Sequence, residues 1–313
     1  MSDATSSRRG PAAALSRFFD GDLWYNFRTS PLAIIAAIVF FGLSLAAIFA
    51  QFVAPHDPFL APDLMDGMLP PMWESGGTNT FPLGTDDQGR DVLSLILHGM
   101  QVSLFVGLAA VLLSVVLGVT LGLIAGFFGG VVDAVIMRIA DIQLSFPNIL
   151  VALLIDGMVS ASFGRATQAA LALPVLVLAI GLSDWVQYAR TVRASTLVER
   201  RREYVQAARI MHIPSITILF RHILPNIMGP VVVIGTLGLA HAIIAEATLS
   251  FLGVGLPPTQ PSLGTLIRTG NDYLFSGEWW MTVFPAVTLV LLSLSVNVFG
   301  DWLRDALNPR IGK

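Results

Sequence analysis

The chain has 313 residues, of which 54% are hydrophobic and 12% charged, with a net charge of −3 and no cysteine. A water-exposed domain carries about 25% charge, so this composition belongs to a membrane protein. Lack of Cys excludes disulfides and thiolate sites, the acidic balance gives no nucleic-acid footprint, and the single lysine, Lys313, cannot serve a GxxxxGK[ST] phosphate loop.

A spanning helix needs about 20 mostly apolar residues. After an N-terminal segment, 1–30, the uncharged run 31–54 is the first candidate; it is too long for a signal-peptide core and Ala50-Gln51-Phe52 is no cleavage site. The stretch 55–98 is polar and acidic, with Asp57, Asp63, Asp66, Glu74, Asp86, Asp87 and Asp91, and is read as a solvated loop or a docking face for a soluble partner. A second span is expected from Gly99 to Phe128, ended by the turn Gly129-Gly130. Within it Gly107, Gly118, Gly122 and Gly126 include spacings of four that permit close helix approach, with no partner identified.

A third span is expected from Val131 to Ile155, with Arg138 and Asp141 as a local i, i+3 ion pair. The fourth runs from Thr167 to Tyr188, the fifth from Ile223 to Leu249 and the sixth from Trp279 to Phe299, with 302–313 as a tail. The fold class is therefore an all-α integral membrane protein of six transmembrane helices, five of them in a core over 99–301. Pro147, Pro174, Pro230 and Pro285 fall inside spans, where packed neighbours must satisfy the freed carbonyls. Fifteen of the 18 Lys and Arg lie on one side in this topology, leaving Arg90, Arg165 and Arg268 on the other. The positive-inside rule then puts both termini in the cytoplasm.

The loop 189–222 is longer than a connection between antiparallel helices requires. It holds two short helical patterns split at His212-Ile213-Pro214. Tyr204, Ala207 and Ala208 share one small-residue face in the first, and Ile216, Leu219 and Phe220 form a stripe in the second. Such a face suits docking by another protein; Arg200, Arg201 and Arg202 equally suit a helix lying on the bilayer.

The run from Glu203 through Asn226 resembles the cytoplasmic EAA loop of ABC importer permeases. Glu203, Ala207 and Ala208 match the acidic and small positions, and Ile223, Leu224 and Pro225 match the exit. The family's glycine is replaced by His212, although Pro214 still breaks the helix. FPLGTDDQGRDVLSLILHG (81–99), EATLSFLGVGLPP (246–258) and GDWLRDALNPR (300–310, with Trp302 where a small residue is commoner) are similar to the peptide and nickel branch.

The resemblance implies a type I ABC importer permease fold in the bacterial inner membrane. It implies a C-type subunit that pairs with a second homologous permease, one or two ATPase subunits and an external solute-binding protein. Such a chain needs no cofactor of its own, since ATP and Mg are bound by the ATPase, and it is not an enzyme. Glu203, Tyr204, Ala207, Ala208, Arg209, His212, Pro214, Leu224 and Pro225 are the expected coupling residues. Glu246 and His241, ionisable residues in the fifth span, are candidates for the translocation path or outer gate; their bland readings are an interfacial glutamate and a packed histidine. Dipeptides or oligopeptides are the expected cargo, with nickel complexes, glutathione or oligosaccharides as alternatives. A secondary transporter would show an internal repeat, which is not found, and a membrane enzyme would need a converging cluster, while the five histidines lack ligand spacing.

Overall fold

The computed structural model describes residues 22–60, 64–162, 165–257 and 259–306. The expected N-terminal segment up to residue 21, with Arg8, Arg9 and Arg17, and the tail from 307, with Arg310 and Lys313, lie outside the described residues.

A short helix α1 (Asp22–Thr29) leads to α2 (Pro31–Ile48), which starts where Ser30 caps Ala33 N and Pro31 fits the first helical position. Next come α3 (Val92–Phe128), α4 (Gly130–Leu144), α5 (Asn148–Ser162), α6 (Arg165–Glu199), α7 (Glu203–Ile210), α8 (Leu224–Phe251), α9 (Leu263–Tyr273) and α10 (Trp280–Ala306). Among the described residues, five helical stretches are long and apolar enough to cross a membrane. The pair α4 and α5 makes a sixth span only if its 91° bend is counted within one crossing.

That bend corrects the continuous third span expected over Val131–Ile155. The break falls at Ser145-Phe146-Pro147, where proline removes a backbone donor and disfavours helix in the residue before it. Other bounds shift too. The helix expected from Gly99 begins at Val92, because Asp91 accepts from Leu93 N and Ser94 N and so caps it seven residues earlier. The helix expected to end at Tyr188 continues to Glu199, so the loop expected to begin at 189 is helical for its first third. Between the third and fourth expected spans, the described residues 157–162 and 165–166 are likewise helical.

α3 and α6 pack most closely, and the reason is a glycine ladder. A Cβ on Gly118 would collide with Tyr188 Cβ, one on Gly122 would lie 2.5 Å from the Ala189 carbonyl, and one on Gly126 2.6 Å from Thr196 Cβ. Hydrogen at these positions lets the backbones meet, and α6 is the partner that the spacing alone left open. Asp141 does not pair with Arg138; it reaches across to Arg190 of α6 at 2.5 Å, with both side chains about half exposed. Arg193 similarly holds Asp133 through two nitrogens.

At one end of the bundle lie the acidic residues of 64–91, α9 and the start of α10, joined by Trp279 to Glu74 and Trp280 to Thr85; at the other lie the arginines of 190–221. The acidic end is tied by the 81–91 motif. Asp86 accepts from Gln88 N, Arg90 N and Arg90 Nε, and Thr85 receives Trp280 Nε1 on its carbonyl at 3.1 Å. At the arginine-rich end Trp302 packs edge-on against Phe27 at 4.9 Å and stacks with Phe299, so its bulk joins α1 to α10.

Candidate functional site

Two regions gather the expected residues. The first is the arginine-rich end. α7 is an eight-residue amphipathic helix. Val205 and Ala208 turn inward and pack with Phe127 of α3, Val192 of α6 and Ile218, Leu219, Ile223 and Ile227. Ala208 is therefore a core residue, whereas Ala207 one position earlier is exposed, which corrects the shared face expected for the two alanines. The stripe expected from Ile216, Leu219 and Phe220 also divides: Leu219 is buried, Ile216 and Phe220 are exposed.

The exposed side carries Glu203 and Ala207, then Ile210 at 77% and Met211 at 66% exposure. Several bonds hold the helix that presents them. Tyr204 Oη donates to Glu199 Oε2 at 2.7 Å and accepts from Asn226 Nδ2 at 2.9 Å. Arg209 lies over the Phe127 ring at 5.0 Å. Burial, then the hydrogen bond to Glu199, holds the Tyr204 phenol above its ordinary pKa, so it stays a donor at neutral pH.

α7 ends in a Schellman turn. Ile213 N donates to the Ala208 carbonyl and His212 N to the Arg209 carbonyl, with His212 in the left-handed region at φ 56°. The turn geometry that a glycine would supply is kept by histidine at a steric cost. Pro214 then precedes a short turn, Ser215–Thr217, and a π-helical stretch, Ile218–Ile223, before Leu224 and Pro225 open α8. A wide π turn accommodates Pro225, which lacks the N–H for an α-helical bond.

The second region lies midway along the bundle. His241 Nδ1 of α8 is 3.0 Å from Asp184 Oδ2 of α6, and Asn148 Nδ2, at the start of α5, donates to Asp184 Oδ1 at 2.8 Å. The three side chains line adjoining cavities of about 180 and 510 Å³. The Asp184 side chain is 7% exposed while His241 is 55% exposed. Asp184 and Asn148 escaped the sequence reading; the signal was a lone carboxylate within the apolar run expected to span from Thr167 to Tyr188.

Glu246 is not brought to these cavities. It is wholly buried, its carboxylate accepting from Ser103 Oγ at 2.6 Å and Ser250 Oγ at 2.7 Å, and Ser103 Oγ also receives Leu263 N. The residue thus joins α3, α8 and the start of α9. That is a stitch between helices, neither an exposed gate nor an interfacial glutamate.

Comparison with known proteins places this architecture. Residues 118–313 match the family of the binding-protein-dependent transport system inner membrane component, and residues 19–71 match the N-terminal transmembrane domain of oligopeptide transport permease C. The dipeptide transport system permease protein DppC of Escherichia coli K12 is 41% identical over 291 residues, 93% of each chain. The protein of the same name from Haemophilus influenzae is 37% identical over 290 residues, 93% of this chain and 94% of that one. A chain of the inward-facing MetNI methionine ABC transporter shares the fold with a TM-score of 0.52 at 18% identity, over 68% of this chain and 96% of that one. The chain belongs to the family of binding-protein-dependent transport system inner membrane components: it is a multi-pass inner-membrane permease subunit of an ABC importer. ATP in such an importer is bound by a partner ATPase, and a binding protein is the other partner that the family implies.

Proposed function

We propose that this subunit forms half of the path by which an importer moves dipeptides or short peptides inward. Its partners in this reading are a second, homologous but distinct permease, one or two ATPase subunits at the arginine-rich end, and a binding protein at the acidic end. Both termini are then cytoplasmic, in keeping with the arginine asymmetry. The peptide cargo is supported by the names of relatives at 36–41% identity over 93% of the chain.

The observation that carries the coupling role is the exposed apolar tip of α7. Ala207, Ile210 and Met211 face solvent on a helix whose opposite side, through Val205 and Ala208, is fixed to α3, α6 and the root of α8. An apolar tip on a braced helix is suited to seat in a groove of the ATPase and to pass its displacement into the bundle. Glu203 and Arg209 flank the tip, His212 and Pro214 end it, and Leu224 and Pro225 pass its movement to α8.

The test is Ala207→Asp, which puts a charge on the exposed face and leaves the Ala208 core contact alone. ATP-driven peptide uptake should be lost while membrane insertion and yield are kept. Retained uptake would overturn the coupling assignment. Affinity purification in mild detergent should recover a homologous permease and ATPase with the chain; a chain that purifies alone and moves solute without ATP would overturn the importer assembly.

A further inference from the structure

Asp184 lies level with Ser114 and Gly118, the middle of the uncharged stretch of α3 from Gly99 to Phe128, since Ser114 Oγ donates to the Gly181 carbonyl and Gly118 faces that of Trp185. That level is close to mid-membrane. A carboxylate at that depth is expensive and calls for a reason. Its two partners come from different helices, and both sit on the wall of the same cavity: Asn148 where the α4–α5 pair breaks and His241 on α8. Unwound or broken spans at mid-depth are where transporters build sites.

The cavity of about 510 Å³ falls in the range of small-molecule pockets, and its wall mixes Leu144, Ile234 and Leu237 with a few convergent polar groups. Each carboxylate oxygen can accept two hydrogen bonds, so one bond from Asn148 and one from His241 leave Asp184 with acceptor capacity on the cavity side. His241, half exposed, can be displaced from Asp184 without unpacking the core. Among the described residues no third His, Asp or Glu completes a metal-binding set with this pair. A single acid beside a releasable imidazole suits a primary ammonium, which brings three donors and one charge.

We propose that Asp184 is a transit counter-ion for the α-ammonium of the cargo, exchanging its His241 partner for the peptide N-terminus and keeping Asn148 as its anchor. This rests on the peptide-import reading above and names the part of the peptide that the path recognises. The step is an exchange of hydrogen-bond partners, with no covalent change. Asn148 is a positioning residue in it, and His241 occupies the acid while the path is empty.

The experiment uses the complete importer, with its binding protein, in proteoliposomes. The cargo reading is judged first, on the wild-type assembly: if that does not accumulate Ala-Ala with ATP, the peptide reading fails by itself. Given wild-type uptake, Asp184→Asn should lower peptide moved per ATP hydrolysed about tenfold or more, as loss of a charge-assisted contact implies. Asp184→Glu, which keeps the charge, should restore a substantial share.

Saturation-transfer NMR on the purified nucleotide-free membrane complex, without binding protein, supplies a readout that a structural role would not move. Ala-Ala should give signal, N-acetyl-Ala-Ala should not, and the difference should vanish in Asp184→Asn. Wild-type coupling in Asp184→Asn, equal loss in Asp184→Glu, or equal signals from the two peptides on wild type would overturn the proposal. Should Asp184→Asn fail to assemble, Asp184→Glu decides, and failure of both to assemble assigns Asp184 to folding and also overturns it.

Discussion

The hydroxyl of Tyr204 accepts a hydrogen bond from Asn226 at 2.9 Å, and through it the end of α6, the helix α7 and the first turn of α8 become one joint. Apart from this hydroxyl, α7 and the first turn of α8 are linked by apolar packing and a π turn. A directional bond resists the shear that apolar contacts allow.

Tyr204→Phe removes the bonds to Glu199 and Asn226, together with the longer one to the His222 carbonyl, and keeps the ring. The expected outcome is a stable importer in which peptide uptake per ATP falls severalfold, and assembly loses about 1–2 kcal/mol of stability, the net worth of the two shorter hydrogen bonds. Uptake and ATP hydrolysis measured together on reconstituted complex check it; an unchanged ratio would show that packing alone transmits the movement.

His212 and Gly253 fill the same left-handed position in two turns of the same design. At Gly253 the bonds are Gly253 N to the Ser250 carbonyl and Val254 N to the Leu249 carbonyl, with φ 82°. A side chain in this conformation costs about 1–2 kcal/mol that glycine avoids. His212→Gly should therefore stabilise the arginine-rich end by about 1 kcal/mol, visible as a higher melting temperature of the purified complex. Gly253→Ala should do the reverse by a similar amount, since the Arg268 guanidinium that its Cβ would meet is the movable end of an exposed side chain.

Gly122→Leu tests the ladder between α3 and α6. Even a Cβ there falls 2.5 Å from the Ala189 carbonyl, a backbone atom that cannot give way. Overpacking of this kind costs about 1–3 kcal/mol and here forces two long helices apart, so the yield of folded protein should drop sharply. Gly42, where an added Cβ would meet nothing within 4 Å, is the matched site at which Ala should be silent.

At the acidic end Asp87 offers a pH test. Burial first, then the neighbouring Asp86, raises its pKa, and its Oδ1 finds no hydrogen-bond partner. A carboxyl whose folded-state pKa lies above its unfolded value supports the fold below the unfolded pKa. That support is lost as pH rises through the folded pKa. Asp87→Asn should thus raise the melting temperature at pH 7, and the advantage should shrink as the pH is lowered toward 4. A constant difference across that range would show that charge is not the cause.

The spans were legible because an uncharged apolar run has few alternatives: 31–54 and the glycine-bearing second helix are recovered nearly in place. Helix ends were not, since Asp91 and Glu199 look like loop residues by polarity and act as a cap and a terminal helical residue. The 91° break needed more than Pro147, because Pro174, Pro230 and Pro285 sit in helices that continue. At the loop, composition found Ala207 and Ala208 but could not say which one faces inward. That depends on Phe127, far back in the chain on another helix. At the cavity, His241 stands out in the sequence as an ionisable residue within an apolar run, whereas Asp184, close to the polar residues Gln187 and Arg190, reads as the edge of one. Glu246 drew notice for its charge, and its fate was decided by Ser103, on another helix.

The glycine ladder also determines which parts of the molecule are free to change places. Three side-chain-free contacts within two helical turns weld α3 and α6 into a single strut. Such a strut tilts as a whole or not at all, since sliding would drive Tyr188 and Thr196 into the opposing backbone. The helix that bears His241 is tied to the same strut, by Glu246 on Ser103 and by Gly238 against Tyr188, so of the mid-depth chamber's walls the broken hairpin that bears Asn148 stands outside that tie. Asp184 stands on the strut, and the hydrogen bond from Asn148 is what joins the broken hairpin to it at that depth.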